Sequence, residues 1–222
     1  MNSILKLASG LVLSTFAVGE LSAQWNIART DGPRNFAYAS FGMDPALVAS
    51  AGYVRTVPVF GHAFELGGEA GIVAAGWDAR DFRARAQVRT SLLHLGLFRI
   101  VGSAAFVARG TENTLHRAFN FGSDFTGNAG LYSRRWFLAG EFGFDKAIIT
   151  HLTHTDWYRR NVYAGAKDGW YLTGGGTFHY GVTGGIAIGP AEIAVRAGLL
   201  RTEDFNELAS PIYSSATVGF RF

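Results

Sequence analysis

The sequence predicts one all-β domain, a single antiparallel transmembrane β-barrel of ten strands in meander order, with eight strands as the alternative. Three observations predict it. Segments of about ten residues with apolar side chains at every second position recur along the chain. The connections between them alternate between short turns and longer polar links. No apolar run after Ala23 approaches the roughly 18 uninterrupted residues that a membrane-spanning helix needs.

The first stretch has the anatomy of an export signal. Lys6 supplies a positive start, Leu7 to Val18 is an apolar run of the right length, and Leu21-Ser22-Ala23 puts a small residue before a cut preceding Gln24. Residues 1–23 are therefore read as a removed signal peptide, and 24–222 as one barrel domain.

Strands follow in order. A weaker candidate at 36–43 and a firmer one at 47–57 come first. Over 63–74, Phe64, Leu66, Ala70 and Ile72 share one face and Glu65 and Glu69 the other. Over 83–93, Ala84, Ala86, Val88 and Leu92 oppose Arg83, Arg85, Gln87 and Arg89. The same period of two marks 97–108, 124–134, 136–147, 175–188, 191–202 and 211–222. Counting 36–43 as a strand gives ten; reading it as irregular leaves the eight-stranded alternative.

Short turns are expected at Pro58–His62, His94–Gly96, Arg134–Arg135 and Gly189–Pro190, and longer links at 75–82, 109–123, 148–174 and 202–210. Aromatic residues gather near strand ends, with Phe60, Phe98, Trp136 and Phe222 on the short-turn side and Trp77, Trp157, Trp170 and Tyr171 on the other, as interface girdles require. A soluble lipocalin-like barrel is the structural rival, because alternation alone does not say which face looks inward.

The charged face carries both signs at each level above the short turns. Glu65, Arg99, Glu192 and Arg221 lie lowest, Glu69, Arg89, Glu141 and Arg196 above them, and Arg85 and Asp145 highest. A solvated face needs no such matching. Charges enclosed in a narrow lumen do, since an unpaired one costs several kcal/mol. These ten residues form the expected lumen ion-pair network.

The composition excludes several classes. Formal charge is only +3, from 20 Lys and Arg against 17 Asp and Glu, and the basic residues are scattered rather than gathered to track a phosphate backbone, so nucleic acid is not an expected partner. The absence of cysteine removes disulfides, thiolate metal sites and cysteine nucleophiles together.

The last strand, Tyr213 to Phe222, ends the chain on an aromatic residue with Phe220 and Val218 at alternate positions behind it. This resembles the C-terminal signature of small bacterial outer-membrane β-barrel proteins, although Ser214 departs from the apolar pattern. The resemblance implies recognition of Val218, Phe220 and Phe222 by the barrel-assembly machinery, location in the bacterial cell outer membrane, and contact with its lipid. An extracellular ligand is not legible.

Chemistry-bearing clusters are few. His151, His154 and Asp156 combine imidazole and carboxylate donors of the kind zinc accepts, but in an extended strand the two histidines would point to opposite faces. Outer-membrane proteases of the omptin type place Asp and His at the outer rim, where Asp78, Asp81, Asp145, His151, His154, Asp156 and His179 could gather; their residues do not match one by one. Ser123 and Ser133 lack a G-x-S-x-G elbow. The glycine run 174–176 leads into a strand, not into the helix a phosphate loop requires. No cofactor is expected.

Three functions follow in order of support: an envelope-structural or surface-interaction barrel with an ion-pair-filled lumen, a narrow porin-like pore for small polar solutes, and a rim-located hydrolase.

Overall fold

The computed structural model describes residues 23–44, 46–74 and 78–222. The signal peptide expected at 1–23 lies, apart from Ala23, outside the described residues, as does Trp77. Eleven strands run β1 (Asn35–Asp44), β2 (Ala46–Val59), β3 (His62–Val73), β4 (Asp78–Leu95), β5 (Phe98–Glu112), β6 (His116–Tyr132), β7 (Trp136–His154), β8 (Gly169–Leu172), β9 (Gly176–Ile188), β10 (Ala191–Thr202) and β11 (Glu207–Arg221), with a short helix α1 (Asp156–Asn161) between β7 and β8.

Ten of these close a ring. Each strand pairs antiparallel with its sequence neighbour, β9 follows β7, and β11 returns to β1, so the meander ends where it began. Closure satisfies the backbone donors and acceptors that an open sheet would leave along its edges. The short β8 stands outside the ring, laid on β7 beyond the end of β9.

The segment 36–43 is a full strand. Small residues alternate there with Phe36, Tyr38 and Phe41, and β1 pairs on both sides, with β2 and with β11. This is why the count is ten and not eight.

At one end the turns are tight. Phe60 and Gly61 both take positive φ, 49° and 81°, the conformation a two-residue hairpin needs for its twist to match the strands. At the other end the strands run further than the sequence suggests. The expected link 109–123 shrinks to residues 113–115, because Phe119 and Phe121 keep the outward face apolar while Ala118 and Asn120 keep the inward face, and Glu112 pairs with Arg117 in the ladder. The expected links 75–82 and 148–174 are likewise shortened by the starts and ends of β4 and β7.

The two faces of the wall differ sharply in chemistry. Leu66, Phe106, Phe125, Phe142, Val195 and Val218 point outward with about half their surface exposed, whereas Glu65, Glu69, Arg85, Arg89, Glu141 and Arg196 are buried inside. The core of this molecule is polar and its shell is apolar.

Candidate functional site

The lumen is filled from the short-turn end by the chain's own N-terminal segment. Residues 23–26 belong to no strand or helix, and Ile27–Arg29 form a single 3-10 turn, capped by the Asn26 side chain, which accepts from the Ala28 N–H. Trp25 packs against Phe36, Tyr38 and Val54, and Ile27 and Ala28 against Val101, Tyr132, Phe137 and Ala194. Apolar plug residues thus meet the few apolar side chains the wall turns inward, and each side removes the other from water.

Around this plug lies the lowest charged layer. Glu65 accepts from the Trp25 indole N–H at 2.7 Å and lies 3.8 Å from Arg89 and 3.5 Å from Arg221. Glu192 accepts from the Asn26 backbone N–H and faces Arg29 at 3.5 Å and Arg221 at 3.8 Å. Arg89 donates to the Trp25 carbonyl at 2.9 Å, and its guanidinium sits over the Trp25 ring. The segment is held by charge-assisted bonds as well as by packing.

The middle layer centres on Glu141. Arg196 donates to it from Nε at 2.7 Å and brings Nη2 into ion-pair contact, Tyr213 donates at 3.0 Å, and the Asn128 amide lies at 3.3 Å. Arg85 pairs with Asp124 at 3.0 Å, and Tyr38 donates to Glu69 at 2.8 Å. His179, only 2% exposed, stands between Asp124 at 3.8 Å and Glu141 at 3.9 Å, with the Thr126 hydroxyl 3.1 Å from its Nε2. Gly143 leaves the space for that ring: a Cβ there would strike His179 Nε2.

In the highest layer Arg109 meets Asp145 at 2.5 Å, and Asn120 donates to Thr150 at 2.7 Å. A cavity of about 200 Å³ opens above them, lined by Val48, Val73, Arg83, Arg109 and Asn120 among others. Among the described residues, the fully buried Arg83, Arg85, Arg89, Arg109, Arg196 and Arg221 are matched in number by Glu65, Glu69, Asp124, Glu141, Asp145 and Glu192.

The expected network residues are brought together unevenly. Glu65, Arg89, Glu192 and Arg221 meet around the plug, and Glu141 meets Arg196. Arg85 and Asp145 take partners that sequence reading did not name, Asp124 and Arg109, and Glu69 takes Tyr38. Arg99 is half-buried near the short-turn end and, among the described residues, joins none of these pairs.

His151, His154 and Asp156 do not converge. His151 packs edge-on against Trp170, His154 Nδ1 lies 3.1 Å from Asp168, and Asp156 opens α1 with its carboxylate 3.8 Å from Arg159. The two histidines leave β7 on opposite faces, as a strand dictates, and no group of three such ligands occurs among the described residues. The metal reading is corrected accordingly.

The rim constellation is corrected as well. His179 and Asp145 are enclosed in the lumen rather than at the rim, and Asp81 is occupied by the Glu112 backbone N–H at 2.8 Å. The exposed pair His154 and Asp168 is a structural clamp. Asp168 accepts from the His154 backbone N–H at 2.8 Å and from Arg159 at 2.5 Å. These bonds, the backbone one foremost, hold its carboxyl down at about 2.

The terminal residues Val218, Phe220 and Phe222 project from the outer face, each more than half exposed. No family model matches the chain, and no curated protein matches it.

Sequence reading missed the plug altogether. Its one signal is that Trp25 and Ile27 are large apolar residues without a strand to belong to. Asp124 and His179 were recoverable by parity, since each shares a face with inward-pointing residues of its own strand, Thr126 and Asn128 for the first and Thr183 for the second.

Proposed function

We propose that the protein is an integral outer-membrane β-barrel whose lumen is closed by its own ion pairs and N-terminal segment, and which serves the envelope as a structural or surface-interaction element through its outer loops. The observation that carries this reading is the inverted distribution of polarity: ionised side chains within, apolar side chains on the outer face of the wall.

Contiguous exposed apolar patches beyond a few hundred Å² are rare on soluble monomers, and the outward residues here continue from strand to strand around the ring. Lipid removes that cost. The span is right too. From Phe119 to Leu131 at about 3.3 Å per residue, with strands tilted by roughly 40°, the outer face rises about 30 Å, close to an apolar band with its aromatic girdles.

The signal at 1–23 would deliver the chain across the inner membrane, and the exposed Val218, Phe220 and Phe222 of β11 would offer the assembly machinery its terminal strand. Tight turns then face the periplasm and the links carrying α1 and β8 face outward.

A pore is disfavoured by the plug. Trp25 and Ile27 fill the short-turn end, and the buried arginines above them are matched one for one by buried carboxylates.

The test has two parts. Purified protein should migrate faster unheated than boiled in detergent gels and should fractionate with the outer membrane. In planar bilayers it should be silent. Steady channels would replace this reading with the narrow pore, and recovery as a soluble periplasmic protein would remove both.

A further inference from the structure

Charge is distributed unequally between the two ends of the barrel. Within the lumen the buried arginines and carboxylates match. At the long-link end both signs mix, as in Lys146 with Glu203 and Arg159 with Asp168. At the short-turn end Arg34, Arg55, Arg134 and Arg135 are exposed, and Asp31, 3.6 Å from Arg134, is the one acidic side chain exposed beside them among the described residues. Cations stay in excess there even with the terminal carboxylate of Phe222 counted.

Arg55 stands on the outer face of the wall, not at the tip of a turn. It is exposed, while Val54 and Thr56 on either side of it are buried. Phe222 pairs with Asn35, Asn35 with Arg55 and Arg55 with Leu66, so these four form one row across β11, β1, β2 and β3. One row further from the turns, on the same face, come Phe220, Ala37 and Tyr53. The Tyr53 hydroxyl reaches back and donates to Asn35 Oδ1 at 2.6 Å. A polar patch of Arg55, Asn35 and the Tyr53 hydroxyl is thus set into an apolar wall, flanked by Phe222 and Leu66.

We infer that this patch seats the headgroup of an anionic phospholipid in the leaflet that the short turns cross, its phosphate on Arg55 and its acyl chains over Tyr53, Phe220 and Leu66. The inference rests on the outer-membrane reading and adds the lipid chemistry to it. An arginine on a lipid-facing wall carries its charge at low cost only where it reaches the headgroup level. Its planar fork of five donors suits phosphate oxygens. In a zwitterionic lipid the headgroup's own ammonium cancels the phosphate, so a rim in cationic excess favours a headgroup of net negative charge. A soluble acidic partner would meet the turn tips, and not a cation set among Phe222, Leu66 and Tyr53 on the flank.

The test titrates the mature full-length protein in detergent micelles with phosphatidylglycerol and, separately, with phosphatidylcholine of the same acyl chains. Native mass spectrometry reads the first lipid retained. The parent should hold phosphatidylglycerol about fivefold more tightly, the effect of one arginine near an anionic surface. Arg55→Gln should bring the two lipids level. Arg160→Gln, an equal charge change on α1 at the opposite end, should bind like the parent. A second measurement needs no variant: phosphatidylglycerol should slow the modification of Arg55 by phenylglyoxal, mapped on peptides, and phosphatidylcholine should not.

Equal affinity of the parent for the two lipids, a preference that survives in Arg55→Gln, an equal loss in Arg160→Gln, or an Arg55 left unprotected would overturn the site. Capture of polyglutamate by the parent without any lipid preference would give the rim to a soluble acidic partner and overturn it too. A heat-modifiable barrel that inserts in phosphatidylcholine vesicles yet treats the two lipids alike defeats this inference alone. Protein that stays soluble and enters no bilayer defeats the reading beneath it.

Discussion

Arg221 donates from Nη2 to the carbonyl oxygen of Asn26 at 3.0 Å, so the final arginine of the closing strand holds the residue that caps the Ile27–Arg29 turn inside the barrel. The same guanidinium lies within ion-pair distance of Glu65 and Glu192 and covers the face of Phe36. One side chain therefore links barrel closure to plug retention.

Replacing Arg221 with Met keeps the volume and removes the charge, leaving Glu65 and Glu192 buried with one cation fewer. Breaking a buried pair from one side costs about 3–5 kcal/mol. Urea unfolding in detergent micelles should register that loss, and a change under 1 kcal/mol would mean that water already screens the layer.

Trp25→Ala tests the plug itself. The indole is nearly fully buried, bonds Glu65 and lies under Arg89, so truncation removes packing and leaves two charges to water. Single-channel recordings should change from silence to brief openings as water enters the short-turn end. A variant as silent as the parent would assign the seal to the charged layers above.

The fold was legible because a strand's period of two is stated afresh in every segment, and Glu65, Glu69, Arg85 and Arg89 declare one face on two neighbouring strands. Pair identity was not. Asp124 and Arg109 meet Arg85 and Asp145 across strands whose stagger no single segment encodes. Residues 109–123 read as a loop because polar residues interrupt the apolar count, although Ala118 and Asn120 simply face the lumen. The plug was invisible for another reason: Trp25 to Arg29 has no periodicity, and its place is decided entirely by what the finished barrel leaves unfilled.

Glu141 and Arg196 should behave as a unit. Arg196→Met leaves Glu141 with Tyr213 and Asn128 as donors but with its principal cation gone, and should cost about 3–5 kcal/mol. Adding Glu141→Gln should restore much of it, because the amide still accepts from Tyr213 and no longer carries a buried charge. In a double-mutant cycle the two changes should therefore couple by more than 1 kcal/mol. Additive losses would mean that His179 and Asp124 share the charge so widely that no pair can be singled out.

The loop clamp predicts a pH dependence of definite sign. Asp168 is held near 2 by the His154 N–H and Arg159, below the 3.8 of an ordinary aspartate. A carboxyl depressed on folding contributes stability that is complete above its unfolded value and is lost as pH falls through its folded value. The link between β7 and β8 should therefore keep its conformation from neutral pH down to about pH 4, weaken below that, and release near pH 2. The amide proton of His154, which bonds the carboxylate directly, should titrate with a midpoint near 2 by NMR. In Asp168→Asn that titration should vanish, and trypsin should cut after Arg159, Arg160 and Lys167 faster at neutral pH, since the amide loses the charge that holds Arg159. A midpoint at or above the ordinary value, or unchanged proteolysis, would show that α1 and β8 are anchored by their packing on the barrel wall and not by this carboxylate.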